Sequence, residues 1–336
     1  MKKRITVCIQ SYNHEKYIAE CIRSILNQTY KNFNIIIFDD GSTDGTIKIV
    51  KKIISDNQNK KIRLIKTNSP KNHTNFNNIL KSYKIFGEYF TIFHSDDTYE
   101  PNILEEQIKF MDANENVMVT GTGANLINDK SKLIGIIKTP YELKKISKID
   151  NLKFVEFLFN FGFFLMTPSF MYRTIFFKKK KFFFNYPKFG WAADVYFFYT
   201  LSKYNSIGFI DKKLFNYRIS KASLSENLRK NNINTSDLFK VLKKILIEKK
   251  FSTHFKKLLV KNYNFLLMIN NSNINLNRII KRKKRLKEIK LIKNITLAFY
   301  DFFKLKRFVQ ATIIKILCFS SLTKYVLIYL NKLRQY

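Results

Sequence analysis

Apolar residues follow two rhythms along the first 120 positions: short unbroken runs, and longer stretches spaced three and four apart. The runs at Ile5–Ile9, Asn34–Phe38, Ile62–Ile65, Tyr89–Phe93 and Val117–Thr120 predict five short strands. Between them Tyr17, Ile18, Cys21, Ile22, Ile25 and Leu26 mark one helix face, with Ser11 and Asn13 as candidate caps. Ile47, Val50, Ile53 and Ile54 mark a second, with Ser42 or Thr43 as cap. A polar loop at 66–75 leads to a helix near Asn77–Lys84, and Pro101, well suited to a first turn, opens another. Apolar strands alternating with helices predict an α/β fold around a mainly parallel, buried sheet.

From Leu126 to Ser225 the pattern is less regular. Asn151–Met166 is strongly aromatic, Thr167-Pro168-Ser169 breaks it, and Phe170-Met171-Tyr172 reads as a strand. A basic loop, Phe177–Phe182, follows, and Gly190-Trp191-Ala192-Ala193-Asp194 opens a helix through Leu201. Beyond about Leu228 lysine and arginine rise sharply, acids nearly vanish and the pattern is helical, with clusters such as Lys281–Arg285. The predicted division is therefore a domain over 1–228 and a basic, mostly helical region over 229–336. No run of 18 clean apolar residues occurs, so no membrane-spanning helix is predicted. The apolar run after Met1-Lys2-Lys3-Arg4 ends at Gln10, too short for a signal peptide and better read as a first strand.

A net charge of +36 changes the picture of partners. Nucleic acid and an anionic membrane surface both fit such a charge. Lys, Asn, Ile, Phe and Tyr are abundant together, however, a composition that coding bias also produces. Cys8, Cys21 and Cys318 form no CxxC pair, which fits a reducing compartment. His14, His73, His94 and His254 are too dispersed along the chain to suggest a metal cluster.

Two predicted strands end on acids. Gly87–Asp97 ends on Asp96 and Asp97, and Phe38 runs into Asp39-Asp40-Gly41-Ser42-Thr43-Asp44. Strand ends of open parallel sheets form ligand-binding edges, and hard carboxylate oxygens there suit Mg²⁺ or Mn²⁺. An acidic turn that caps a helix is the plainer alternative for Asp96 and Asp97. Two such edges together point to a nucleotide diphosphate with its metal. Asp40 can accept the imide N–H of uracil, Asp44 reads as a helix cap, and Gln10-Ser11-Tyr12-Asn13 can lay Tyr12 against a base. Asp194 has the chemistry of a general base for an acceptor hydroxyl, or that of an ordinary acid at a helix start. Arg218 can grip a diphosphate bidentately, in a loose cluster with Tyr217, Ser223 and Ser225.

In this order the motifs resemble the family-two glycosyltransferases, inverting enzymes with the GT-A fold. The resemblance covers roughly residues 3–225 and rests on Thr6–Asn13, Ser24–Tyr30, Ile36–Asp44, Gly87–Asp97, Thr167-Pro168-Ser169 with Arg173, Trp191–Asp194 and Tyr217-Arg218. It implies a three-layer α/β/α sandwich, donor binding by Gln10, Tyr12, Asn13, Asp40, Asp96 and Arg218, a cation on Asp97 and Asp96, and Asp194 as catalytic base. His94 stands where the family's first metal-motif acid is common, Ala193 replaces an acid before the base, and Ser220 replaces a histidine. The Gln-x-x-Arg-Trp signature of processive synthases is absent, which implies transfer of one sugar per encounter. The expected donor is UDP-linked and the expected acceptor a surface glycan or lipid-linked oligosaccharide. The expected location is cytoplasmic, peripheral on the inner face of a bacterial inner membrane. A non-catalytic glycan-binding member and a nucleic-acid-binding protein are the alternatives, the latter disfavoured because a carboxylate-edged cleft repels phosphate.

Overall fold

A computed structural model describes residues 4–58, 61–66, 77, 79, 87–137, 139–140, 143, 147–179, 184–220, 233–248, 251–257, 259–260 and 263. The chain divides into two compact units, one of 1–155 with 163–241 and one of 156–162 with 242–336. Most of the second unit, including Lys281–Arg285, lies outside the described residues, as do His73, Ser223, Ser225 and most of the predicted 77–84 helix.

The first unit is built on one sheet. Its N-terminal strands are β1 (Ile5–Ser11), β2 (Phe33–Asp39), β3 (Ile62–Lys66) and β4 (Tyr89–His94), joined by helices α1 (Ile18–Leu26) and α2 (Thr46–Asp56) where those joints are described. There follow β5 (Thr98–Tyr99), α3 (Ile103–Asp112), β6 (Val119–Ile127), β7 (Leu133–Ile136) and β8 (Lys148–Ile149). Then come α4 (Asn151–Phe161), which belongs to the second unit from residue 156, β9 (Met171–Arg173), α5 (Thr174–Lys179), α6 (Tyr186–Phe189), α7 (Ala193–Ser202), β10 (Ile207–Arg218) and α8 (Ile233–Ile247), which belongs to the second unit from residue 242. The order across the sheet is β3-β2-β1-β4-β9-β6-β10-β5, with β7 on β6 and β8 on β10. Strands β1 to β4 are mutually parallel, and β10 runs parallel to β6. The short β9 is antiparallel to both β4 and β6, so those two point the same way.

Both sheet faces are covered. On one face Ile5, Val7, Ile9, Tyr89 and Phe93 pack with Ile18, Cys21, Ile22 and Ile25 of α1 and with Ile103, Leu104 and Ile108 of α3. On the other Phe90 stacks on Tyr172 with ring centroids 4.9 Å apart, and Phe177 and Phe198 close over that pair and Phe170. The period-two switch along β4 thus sends alternate residues to opposite cores.

Several expectations need correction. Helix α1 starts after Tyr17 without a side-chain cap, so neither Ser11 nor Asn13 caps it. Ser42 and Thr43 do not cap α2. The N-cap is Gly45, with no side-chain cap bond, so Asp44 is not the cap either, although its Oδ1, one residue earlier, accepts the Thr46 N–H at 3.0 Å. The fifth predicted strand is β6, which begins at Val119 and runs on to Ile127. The 12-residue β10 is an element that the hydrophobic pattern did not reveal. Among the described residues, no helix is long and apolar enough to cross a membrane.

Candidate active site

The parallel register brings the chemistry to one edge. Gln10 at the end of β1 sits between Phe38 of β2 and His94 of β4, and Ser11 pairs with Asp39. The loops leaving β1 and β2 are laced together. Asn13 N–H donates to Ser42 Oγ (2.9 Å), Thr43 N–H to Asn13 Oδ1 (2.8 Å), His14 N–H to Thr46 Oγ1 (2.9 Å) and Glu15 N–H to Asp44 Oδ2 (3.0 Å). Burial alone would raise the Asp44 carboxyl, but the hydrogen bonds from Thr46 and Glu15 hold it below the usual range. Asp39, buried, accepts from both the N–H and the Oγ of Ser42, at 2.8 and 2.6 Å. Gly41 at φ +80° turns the chain between these acids, a left-handed conformation natural to glycine. Asp40 is buried and anchored through its own N–H to the Ser11 carbonyl. Tyr12 is half-buried and Asn13 exposed on the same edge.

At the end of β4, one ligand atom each from His94, Asp96 and Asp97 lies within 4.8 Å of the others. The two histidines dismissed as dispersed therefore meet here. His14 Nδ1 is 2.7 Å from Ser95 Oγ, and its Nε2 is 4.0 Å from Asp96 Oδ2. Burial holds the His94 imidazole below its usual value, with Asp96 opposing and His14 adding to that effect. Asp97 is 1% exposed. Its Oδ1 accepts the Arg218 N–H at 2.8 Å, whereas its Oδ2 is buried with no hydrogen-bond partner. Burial first, and then the Asp96 charge, push this carboxyl well above the ordinary range, against the pull of Arg218. An orphaned buried carboxylate oxygen beside a second carboxylate and a neutral imidazole is a donor set that a divalent cation fits, because the cation supplies the missing partner and the missing positive charge.

Arg218, 1% exposed, is what holds this turn. Its Nε donates to the Asp96 carbonyl (2.6 Å), Nη1 to the Asn128 carbonyl (2.8 Å) and Ser131 Oγ (3.0 Å), and Nη2 to Glu20 Oε2 (2.7 Å). The guanidinium also lies over the Tyr17 ring, 4.7 Å from its centroid. The expected diphosphate grip is thus not how this side chain is engaged: all three of its nitrogens are committed to protein oxygens.

Asp194 stands at the start of α7, half-buried. Its Oδ1 accepts the Val195 N–H at 2.7 Å and its Oδ2 the Thr167 hydroxyl at 3.2 Å. Thr167 belongs to the 3-10 turn before β9. Because β9 is antiparallel to β4, that turn lies at the edge where β4 ends in the acids. Burial pushes the Asp194 carboxyl up to about 6, with the two hydrogen bonds pulling the other way. Burial first, and then the Asp194 charge, push the Tyr172 and Tyr186 hydroxyls above their usual range. Tyr186, His14, Tyr17 and Glu20 carry no signal of their own in the sequence; only the fold brings them to this edge.

The glycosyl transferase family 2 model matches residues 6–176. The chain belongs to that family. An uncharacterized glycosyltransferase of Haemophilus influenzae is 33% identical over 145 residues, 43% of each chain. The putative glycosyltransferase EpsE of Bacillus subtilis is 36% identical over 120 residues, 36% of this chain and 42% of EpsE. The chain thus spans less than half the length of both relatives. Glycosyltransferase GlyG of Streptococcus pneumoniae is 29% identical over 230 residues, 67% of this chain and 73% of GlyG. Among solved structures, S. aureus TarS 1-349 in complex with UDP-GlcNAc aligns over 86% of this chain and 77% of its own, with TM-score 0.56 and 20% identity. Mannosyltransferase PcManGT from Pyrobaculum calidifontis, in complex with GDP-Man and Mn²⁺, aligns over 98% and 86%, with TM-score 0.61 and 15% identity. These likenesses establish the shared fold of the family 2 domain.

Proposed function

We propose that this family 2 glycosyltransferase moves a single hexosyl or N-acetylhexosaminyl unit from a UDP-linked donor to a hydroxyl of a surface glycan or lipid-linked oligosaccharide, inverting the anomeric centre. The observation that carries the reading is the buried Asp97 carboxylate with an unpartnered oxygen at the carboxyl edge of the parallel strands. In the reaction the acceptor oxygen attacks the anomeric carbon from the face opposite the diphosphate. Its proton passes to Asp194, the anomeric C–O bond breaks, and the nucleoside diphosphate leaves with the bonding pair. A carboxyl raised to about 6 is ionised at neutral pH yet basic enough to take that proton. Asp96 and Asp97 would hold Mg²⁺ or Mn²⁺, whose bound charge stabilises the departing diphosphate. Asp40 reads the base, with Tyr12, Gln10 and Asn13 lining its approach. Arg218 acts through Asp96 and Asp97 as a positioning residue. The UDP-GlcNAc complex of TarS and the Mn²⁺ complex of PcManGT support the donor class and the metal.

The net charge of +36 supports a peripheral position on an anionic membrane, the cytoplasmic face of a bacterial inner membrane, where lipid-linked acceptors reside. The test of the central reading is thermal shift with UDP-, GDP- and dTDP-sugars, with and without Mn²⁺. Metal-dependent stabilisation by UDP-sugars, lost in Asp97→Ala, is the expected result. A folded protein that responds to none of them would overturn the reading and favour a non-catalytic glycan binder.

A further inference from the structure

We propose that His94 is a direct ligand of the cation, and that its imidazole makes the site select Mn²⁺ over Mg²⁺. This rests on the reading above that Asp96 and Asp97 hold a divalent ion. It goes further by assigning a nitrogen donor and a metal preference to a position where the family commonly has an acid.

The geometry gives His94 little freedom. It is the last residue of β4, in register with Gln10 of β1. Its N–H donates to the Tyr99 hydroxyl at 2.9 Å, and its carbonyl accepts the Cys21 thiol at 3.4 Å. The backbone is therefore held from both sides, and the ring leaves a fixed Cα beside Asp96 and Asp97. Among the described residues neither ring nitrogen of His94 makes a hydrogen bond, and Asp97 Oδ2 makes none either. Two unsatisfied donors of electron pairs thus fall inside one 4.8 Å cluster with Asp96. The groups around them are not competing ligands. Cys21 is buried and its thiol is spent on the His94 carbonyl. Tyr99 is spent on the His94 backbone. His14 reaches Ser95 and stands off Asp96 as an outer neighbour.

Ligand chemistry then sets the preference. Mg²⁺ demands oxygen ligands in strict octahedral geometry and gives up its waters reluctantly. Mn²⁺ suits carboxylate oxygen and is the weakest binder of the first-row transition series, but as a member of that series it gains from a nitrogen donor where Mg²⁺ does not. Replacing one oxygen donor by a nitrogen donor in a turn whose backbone is held in place therefore penalises Mg²⁺ selectively.

The test uses the full chain and Mn²⁺ added alone. Electron spin-echo envelope modulation of the bound Mn²⁺ should show a directly coordinated ¹⁴N, and that signal should vanish in His94→Asp. Titration should give Mn²⁺ binding about tenfold or more tighter than Mg²⁺ in the wild type, with the ratio collapsing toward one in His94→Asp. Circular dichroism of the metal-free proteins establishes that the variant is folded, and the wild-type spectrum decides the question even if it is not. Saturable Mn²⁺ binding that is lost in Asp97→Ala, but shows no ¹⁴N coupling and keeps its Mn²⁺-to-Mg²⁺ ratio in His94→Asp, would overturn the role of His94 alone. No saturable Mn²⁺ binding to the wild type, with or without UDP, would overturn the metal reading on which this one stands.

Discussion

Asp194 and Arg218 show how much a single side chain can depend on what surrounds it. Both are charged residues near the same edge, but their surroundings assign them different work. The Asp194 carboxyl is raised to about 6 by burial, so with Asp194 as the proposed base transfer should fall about tenfold per pH unit below pH 6 as it becomes protonated. A kcat/KM profile whose acid limb breaks near the ordinary carboxylate value would contradict this. Asp194→Asn should keep donor binding and lose transfer by about 10²–10⁴-fold. It should also stabilise the fold. A carboxyl with a folded value above its unfolded one favours the native state at low pH, and that advantage is lost as pH rises toward 6. The variant should therefore gain on the wild type between pH 4 and 6 and stay ahead above it, by up to about 3 kcal/mol. Urea unfolding at pH 4.5 and pH 8 measures the difference. Arg218→Met, by contrast, should leave the Asp96 and Asn128 carbonyls short of a donor and cost about 2–4 kcal/mol, with nucleotide and metal affinity falling together. Unchanged affinity in a stably folded variant would remove its positioning role.

Among the elements, the parallel strands β1, β2 and β4 were legible because each is apolar on both faces and ends on polar residues that the sheet edge needs. Strand β10 was not, for a local reason. Asp211, Lys212 and Lys213 interrupt its apolar residues at the point where the register against β6 shifts, so neither period two nor an unbroken run survives. The acids of the site were legible from their place after apolar runs. His94 was legible only through its place in that motif, and His14 was not, since it lies 80 positions before His94 and only the β1–β4 register closes that gap. The start of α7 depends on another unsignalled contact. Gly190 has φ +49°, and a Cβ there would run into the Asp237 carboxylate, which accepts the Trp191 N–H at 3.1 Å. Gly190→Ala should destabilise the domain by about 1–3 kcal/mol and lower kcat more than it raises KM, because Asp194 lies four residues on. A melting temperature and kcat equal to those of the wild type would show that the turn tolerates the change.

For the whole molecule, charge is the dominant fact. With 61 lysines and arginines against 25 acids, the chain should bind vesicles rich in anionic lipid at low ionic strength and release them as salt rises through a few tenths molar. Co-sedimentation across a salt series checks this, and equal recovery with neutral vesicles would point to apolar insertion instead. Composition could announce that charge, but it could not say which surface would use it.

Assembly in time follows from the hydrogen bonds of Arg218. Asp97 and Arg218 are 121 positions apart, and Glu20 and Arg218 are 198 apart. A nascent chain emerging from the ribosome has displayed Glu20, Asp96 and Asp97 long before Arg218 appears. Until that residue arrives, the turn holding Asp96 and Asp97 lacks the donors that fix it. The site is completed near the end of synthesis of its domain, so a half-made transferase carries its acidic motifs without the means to use a donor.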